Sequence, residues 1–306
     1  MNQLLNVTKK DRYPDFFIVG APKCGTTALS AYLGQSPNIK FHRKEIHYFG
    51  SDLEFNRPKV TKKAYLEQGS KVKGNELLGD ASVYYLYSKK AAREIFDVNT
   101  KAKIIICLRN PIDFVQSLHA QLVSNADENI LDLEQALQVE QDRIQGIGVP
   151  WYTHPVHALR YTQMAKFNEQ VKRYLEIFPH ENIKVVLLEE LASDSEKITK
   201  EIFEFLGTEE PENLNLSVVN PTTTVRFKPL KIMHKTMFPA DGIARQILPS
   251  IFLKPIDFVL FKLMSKKSEK AKMPHHLRNQ LKAEFADEVE LLSKTLRKDL
   301  SVWSDF

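Results

Sequence analysis

Three short, nearly unbroken apolar runs punctuate the first two thirds of the chain: Phe16-Phe17-Ile18-Val19, Ala102 to Leu108, and Ile183 to Leu188. Runs of this length, apolar at odd and even positions alike, suit strands buried on both faces, as in a parallel sheet. Helical spacing follows the first two. Ala28, Leu29, Tyr32 and Leu33 cluster on one side of a predicted helix over 26–33. A second predicted helix runs from Pro111, tolerated in a first turn, to about Ser124. A long helical pattern over 156–178 precedes the third run, and Ser195 to Leu206 reads as a helix stopped by Gly207. Strand, loop and helix in this alternation predict an α/β fold of three layers, with a central, mostly parallel sheet flanked by helices.

The pattern changes after residue 210. Residues 213–229 are polar and proline-punctuated, which predicts a long loop. Residues 247–264 are strongly apolar, yet Pro249, Lys254, Pro255, Asp257 and Lys262 interrupt them and argue against a membrane-spanning helix. Core-packing helices are one reading. The other joins this stretch to the lysines at 266, 267, 270 and 272 as a peripheral membrane or partner contact over 247–272. From Pro274 to Trp303 an amphipathic helix is predicted, with Leu277, Leu281, Phe285, Val289, Leu292 and Leu296 on one stripe. The expected organisation is one domain over 1–306, with a helical basic and apolar extension at 230–275 and a packing helix at 276–306.

Composition adds little to this picture. The 43 basic and 38 acidic residues leave a net charge of +5, which fits an enzyme handling anionic ligands and gives no reason to expect nucleic acid as a partner. Cys24 and Cys107 both adjoin predicted strands and form no disulfide framework, so a reduced, cytoplasmic setting is expected. Residues 1–10 contain no apolar run of signal-peptide or anchor length.

The candidate chemistry begins where the first strand ends. Gly20-Ala-Pro-Lys23-Cys24-Gly25-Thr26-Thr27 nearly fits the triphosphate loop, which requires lysine directly after its second glycine. Thr26 occupies that position here, and the lysine has moved into the loop. Gly25 lets backbone approach an anion, the amides of Cys24, Gly25, Thr26, Thr27 and Ala28 open the helix, and the helix N-terminus favours negative charge. Lys23 projects toward the ligand's reactive end, where it can neutralise a leaving oxygen.

Pro22-Lys-Cys-Gly-Thr-Thr-Ala-Leu29 resembles the 5′-phosphosulfate loop of sulfotransferases that use 3′-phosphoadenylyl sulfate (PAPS). Ile104 to Ser117 is similar to that family's 3′-phosphate site, in which an arginine at a strand end and a serine two helical turns later hold the phosphate; here they are Arg109 and Ser117. A guanidinium fork and a hydroxyl suit that dianion. Lys44-Glu45-Ile46-His47-Tyr48-Phe49 resembles the segment of the glycan-sulfating, heparan-sulfate-type branch that carries the catalytic base. Asp80-Ala-Ser82-Val-Tyr84 resembles the segment lining the acceptor cleft. The cysteine-bridged loop of some glycan-sulfating relatives is absent. Residues 220–228 stand in its place, with Arg226 and Lys228 as cations that would close over the donor.

The resemblance implies sulfuryl transfer from PAPS to a hydroxyl or amine acceptor, a small molecule or a glycan, with release of 3′-phosphoadenosine 5′-phosphate (PAP) and no metal requirement. Lys23 would stabilise the leaving group. Glu45 or His47 would take the acceptor's proton. In an extended segment the two would face the same side, and an imidazole with a pKa near about 6.5 suits the task, but the family pattern favours Glu45. Glu45 could instead be paired at the surface with Arg43 or Lys44. The alternatives are a nucleotide-dependent kinase, which calls for lysine at position 26 and Mg²⁺, and a non-catalytic nucleotide-binding protein on the same fold.

Overall fold

A computed structural model describes residues 12–55, 58–69, 72–217, 223–225, 265–267 and 273–306. In chain order, β1 (Phe16–Gly20) leads to α1 (Thr26–Leu33), β2 (Ile39–Phe41), α2 (Lys62–Gly69), β3 (Leu77–Asp80), α3 (Ala91–Val98), β4 (Lys103–Leu108) and α4 (Pro111–Asn125). There follow α5 (Leu133–Gln138), α6 (Glu140–Ile144), α7 (Tyr161–Ala165), α8 (Phe167–Leu175), β5 (Ile183–Leu187), α9 (Leu188–Ser193) and α10 (Ser195–Leu206). The last described elements are β6 (Thr223–Val225), β7 (Ser265–Lys267) and α11 (His275–Leu296).

The three apolar runs become β1, β4 and β5 of one five-stranded sheet, ordered β2-β3-β1-β4-β5. Every neighbouring pair is parallel. In register, Phe17 faces Ile104 and Ile104 faces Ile183. Both faces of β1 and β4 are buried, which is why these runs do not alternate with polar residues. Two further strands escape the apolar-run criterion. β2 has three residues, and β3 contains Gly79, where a Cβ would lie 2.4 Å from Phe16 Cζ. Because all five strands run the same way, the carboxyl ends of β1, β2, β3 and β4 open on one edge. The chain leaves β1 for one side of the sheet and returns through β4 to the other, the arrangement that makes a ligand crevice in open α/β sheets.

The described chain divides into two compact units, each assembled from separated stretches. The first holds the five-stranded sheet with α1, α2, α3, α9, α10 and nearly all of α8. The second holds α4 to α7, α11 and the antiparallel ribbon of β6 and β7. Within it the Arg278 guanidinium on α11 bonds Asp305 at 2.7 Å and Asp113 of α4 at 3.2 Å. Its interior contains Glu128, paired with Arg143 through two hydrogen bonds and receiving the Tyr161 hydroxyl at 2.6 Å.

The pattern over 156–178, predicted as a single helix, is broken. A 3-10 turn (Val156–Leu159), α7 and α8 are separated at Arg160 and Lys166, whose ψ angles are 68° and 80°. The cause lies outside the segment. The Glu140 carboxylate accepts the Thr162 amide at 3.0 Å and the Gln163 amide at 3.3 Å, and so caps a new helix start. The terminal helix ends at Leu296, short of the predicted Trp303, because Arg297 turns left-handed with φ 49°. Trp303 is buried beyond the helix. The predicted loop over 213–229 contains β6. Most of the predicted 230–275 extension, including the apolar stretch 247–264, lies outside the described residues. No described helix is long and apolar enough to cross a membrane.

Candidate functional site

Four loops at the carboxyl edge of the sheet carry the candidate residues. The first leaves β1 at Gly20, where a Cβ would sit 2.4 Å from the Val83 carbonyl oxygen at a φ of 144°. Gly25 then serves as N-cap of α1 with φ 84°, and a Cβ there would meet Leu188 Cδ1 at 2.9 Å. No side chain caps α1. Helix geometry leaves its first amides without intrahelical acceptors, so the terminus presents N–H groups and positive partial charge to an anion. The Cys24 amide closes a turn onto the Ala21 carbonyl at 3.3 Å. Burial pushes the Cys24 thiol well above its ordinary pKa and keeps it neutral. Thr26 is buried, whereas Thr27 and Ala28 are half-buried.

Arg109 immediately follows β4 and is 9% exposed. Its Nη1 donates to the Lys23 carbonyl at 3.3 Å, so the sheet brings the Lys23 loop and the Arg109 strand end together. Ser117 is half-buried in the second turn of α4 and belongs to the second unit. Arg226 and Lys228 lie outside the described residues.

The segment after β2 departs from the extended conformation predicted for it. Glu45 and His47 are both left-handed, with φ 54° and 49°. His47 Nδ1 lies 2.7 Å from the Glu45 carbonyl oxygen. Lys44 donates through Nζ to Thr27 Oγ1 at 3.0 Å and stands 4.0 Å from Glu45 Oε1. The Glu45 turn is therefore tethered to the first turn of α1. The Lys44–Glu45 pair is the surface contact that the sequence allows, but the tie to Thr27 is a long-range contact with no local signal in the sequence.

The segment after β3 lies beneath this turn. Asp80 and Ser82 are fully buried. The Asp80 carboxylate accepts the hydroxyls of Ser82 at 2.6 Å, Tyr65 at 2.8 Å and Tyr85 at 3.1 Å. Burial raises its pKa to about 6, against the opposing pull of these three bonds. The Tyr84 ring packs 5.5 Å from His47.

Five non-glycine residues have positive φ among those described: Lys23, Glu45, His47, Ala126 and Arg297. Ala126 and Arg297 close the C-termini of α4 and α11, an ordinary use of that conformation. The remaining three are the residues singled out as catalytic. Each such outlier costs about 1–3 kcal/mol and persists only where its surroundings impose it. Among the described residues, no cluster of three or more His, Cys, Asp or Glu is arranged to hold a metal ion.

Residues 13–236 match the sulfotransferase domain family. A solved sulfotransferase from Alicyclobacillus acidocaldarius has 28% sequence identity and a TM-score of 0.72, covering 96% of this chain and 99% of that one. The membrane-associated sulfotransferase kil1 of Dictyostelium discoideum is 34% identical over 101 residues, 33% of this chain and 21% of that protein. The human bifunctional heparan sulfate N-deacetylase/N-sulfotransferase 3 is 26% identical over 204 residues, 64% of this chain and 22% of its own length. The chain thus spans about a fifth of these two curated relatives. With the family matched over most of its length, the chain belongs to the sulfotransferase-domain family.

Proposed function

We propose that the protein transfers a sulfuryl group from PAPS to a hydroxyl or amine of an acceptor, with carbohydrate the favoured class. The observation that carries this reading is the strain at Lys23, Glu45 and His47, which stand at the ends of β1 and β2 on one edge of the sheet. The uncapped N-terminus of α1, with Gly25, Thr26 and Thr27, suits the 5′-phosphosulfate. Arg109, tied to the Lys23 carbonyl, suits the 3′-phosphate. Likeness to heparan sulfate sulfotransferases supports a glycan acceptor, with Tyr84 beside His47 as part of its cleft.

In this reading the acceptor oxygen or nitrogen attacks sulfur in line with the bridging oxygen of PAPS. The new bond to sulfur forms as the bond to that bridging oxygen breaks. Glu45 takes the acceptor's proton, and Lys23 balances the charge that collects on the departing oxygen of PAP. His47 orients the base turn through its contact with the Glu45 carbonyl. Lys44, bonded to Thr27 and near Glu45, adds a second cation beside the transferring group. Alignment and charge stabilisation supply the rate, and no metal is called for by this scheme.

Calorimetric titration with PAP, followed by transfer of labelled sulfuryl from PAPS to a heparan sulfate chain bearing free amines and hydroxyls, tests the proposal. Binding of PAP and incorporation of label are expected. Binding of ATP with Mg²⁺ in place of PAP would replace this reading with the kinase alternative.

A further inference from the structure

Two strained residues in one short turn, Glu45 and His47, cannot hold themselves, and the described contacts identify what fixes the turn between His42 and Phe49. The His42 amide donates to the Gly79 carbonyl at 2.9 Å, and the Glu45 amide to the Ala81 carbonyl at 3.2 Å. The next two anchors are side chains. The His47 amide donates to Ser82 Oγ at 3.1 Å, and the Phe49 amide donates to the Tyr85 hydroxyl at 3.3 Å. Both hydroxyls in turn donate hydrogen bonds to Asp80, Ser82 to Oδ1 and Tyr85 to Oδ2. Tyr65, the third donor to Asp80, stacks its ring on His42 at 4.5 Å and on Tyr48 at 4.2 Å.

We infer that Asp80 is a positioning residue for the candidate base: one buried carboxylate, acting through the Ser82 and Tyr85 hydroxyls, sets the backbone of the Glu45–His47 turn. This rests on the reading of Glu45 as base. Asp80 has no exposed surface with which to meet an acceptor, and both its oxygens are engaged. The choice of hydroxyls has a chemical reason. A hydroxyl donates one proton and still accepts through its lone pairs, so it can serve carboxylate and amide together. A lysine or arginine in the same place would satisfy the carboxylate and leave the amides of His47 and Phe49 without an acceptor. Chains of this kind polarise along their length, which strengthens each bond in a buried setting.

Ser82→Ala and Tyr85→Phe, made in the full chain, each remove one relay and leave Asp80 two donors. Amide hydrogen exchange is expected to accelerate about tenfold at His47 in the first variant and at Phe49 in the second, the equivalent of one lost hydrogen bond. With PAPS and the heparan sulfate chain, kcat is expected to fall about tenfold in each, while PAP affinity and acceptor KM stay within about twofold. In the Glu45→Gln background, Ser82→Ala should cost no further kcat. Unchanged exchange at both amides overturns the inference, as does a raised acceptor KM with kcat intact, which would make Ser82 an acceptor contact. Full losses that multiply in the double variant also overturn it. Failure of the base reading looks different: Glu45→Gln would keep wild-type turnover while the exchange at His47 and Phe49 still accelerated.

Discussion

Two buried carboxylates, one in each unit, are both met by tyrosine hydroxyls and yet do opposite things. Glu128 faces Arg143 through two hydrogen bonds and receives Tyr161 as well. Burial pushes its pKa up, but the Arg143 and Tyr161 bonds outweigh burial and leave it below the usual carboxylate range. Asp80 has only hydroxyls around it, and burial prevails, raising it to about 6. The difference is one of what the partners do next. Arg143 can only donate, so the Glu128 pair is closed at the guanidinium, and the carboxylate takes the nearby Ile130 amide directly at 2.8 Å rather than through a relay. Ser82 and Tyr85 accept as well as donate, so Asp80 reaches the amides of His47 and Phe49. A closed pair stabilises; an open relay positions.

The largest effect is expected at the closed pair. Arg143→Met strands a buried charge and should cost about 3–5 kcal/mol in chemical denaturation, with kcat per folded molecule unchanged. Asp80→Asn keeps the volume and one acceptor oxygen. It should cost about 1–2 kcal/mol by the same measurement while kcat falls about tenfold, because the relay loses part of its anchor. If the two variants lost stability and activity in the same proportion, the distinction between closing and positioning would fail.

The pH dependence of stability sharpens the contrast, since the two acids move in opposite directions. Asp80 is raised, so its protonated form is favoured in the fold. Its contribution is full at low pH and is lost as pH rises from the ordinary aspartate range of about 4 through about 6. The deficit of Asp80→Asn relative to wild type should therefore shrink over that window. Glu128 is lowered, so its contribution is present above the ordinary glutamate range and is lost as pH falls. The deficit of Glu128→Gln should grow as pH rises out of the acid range. His42, lowered by burial to about 4, adds a slope that opposes that of Asp80, but it is common to wild type and variant and cancels in the difference. Denaturation midpoints at a series of pH values check both signs.

The smallest change in stability is expected at Lys44, which is half-exposed. Lys44→Ala should shift stability by no more than about 0.5 kcal/mol, and the reading of a second cation expects turnover to fall several-fold. An unchanged turnover would reduce Lys44 to a surface contact.

What the sequence discloses, and what it withholds, follows the range of the forces involved. β1, α1 and α10 are legible because burial and termination are local: four apolar residues, a glycine before a helix, Gly207 at its end. β3 is not, because Gly79 serves the Phe16 ring packed against it rather than any pattern along its own strand. The break within 156–178 depends on Glu140, more than twenty residues from the amides it caps. In the candidate site the residue types at 23, 45, 47 and 109 could be read in advance. The left-handed turn at Glu45 and His47 could not, since its amides are held by the Ala81 carbonyl and the Ser82 hydroxyl, with Tyr85 holding Phe49 just beyond. The resemblance places Asp80 and Ser82 at the acceptor cleft; the relay inferred above gives them the support of the base.

The most direct test of the account is the single-turnover rate of labelled sulfuryl transfer from PAPS to the heparan sulfate chain, measured for wild type and Glu45→Gln with PAP affinity determined alongside. A positioned base contributes about 100-fold or more. A loss of that size is expected in Glu45→Gln with PAP affinity unchanged, and equal transfer rates in the two proteins would contradict a base at Glu45.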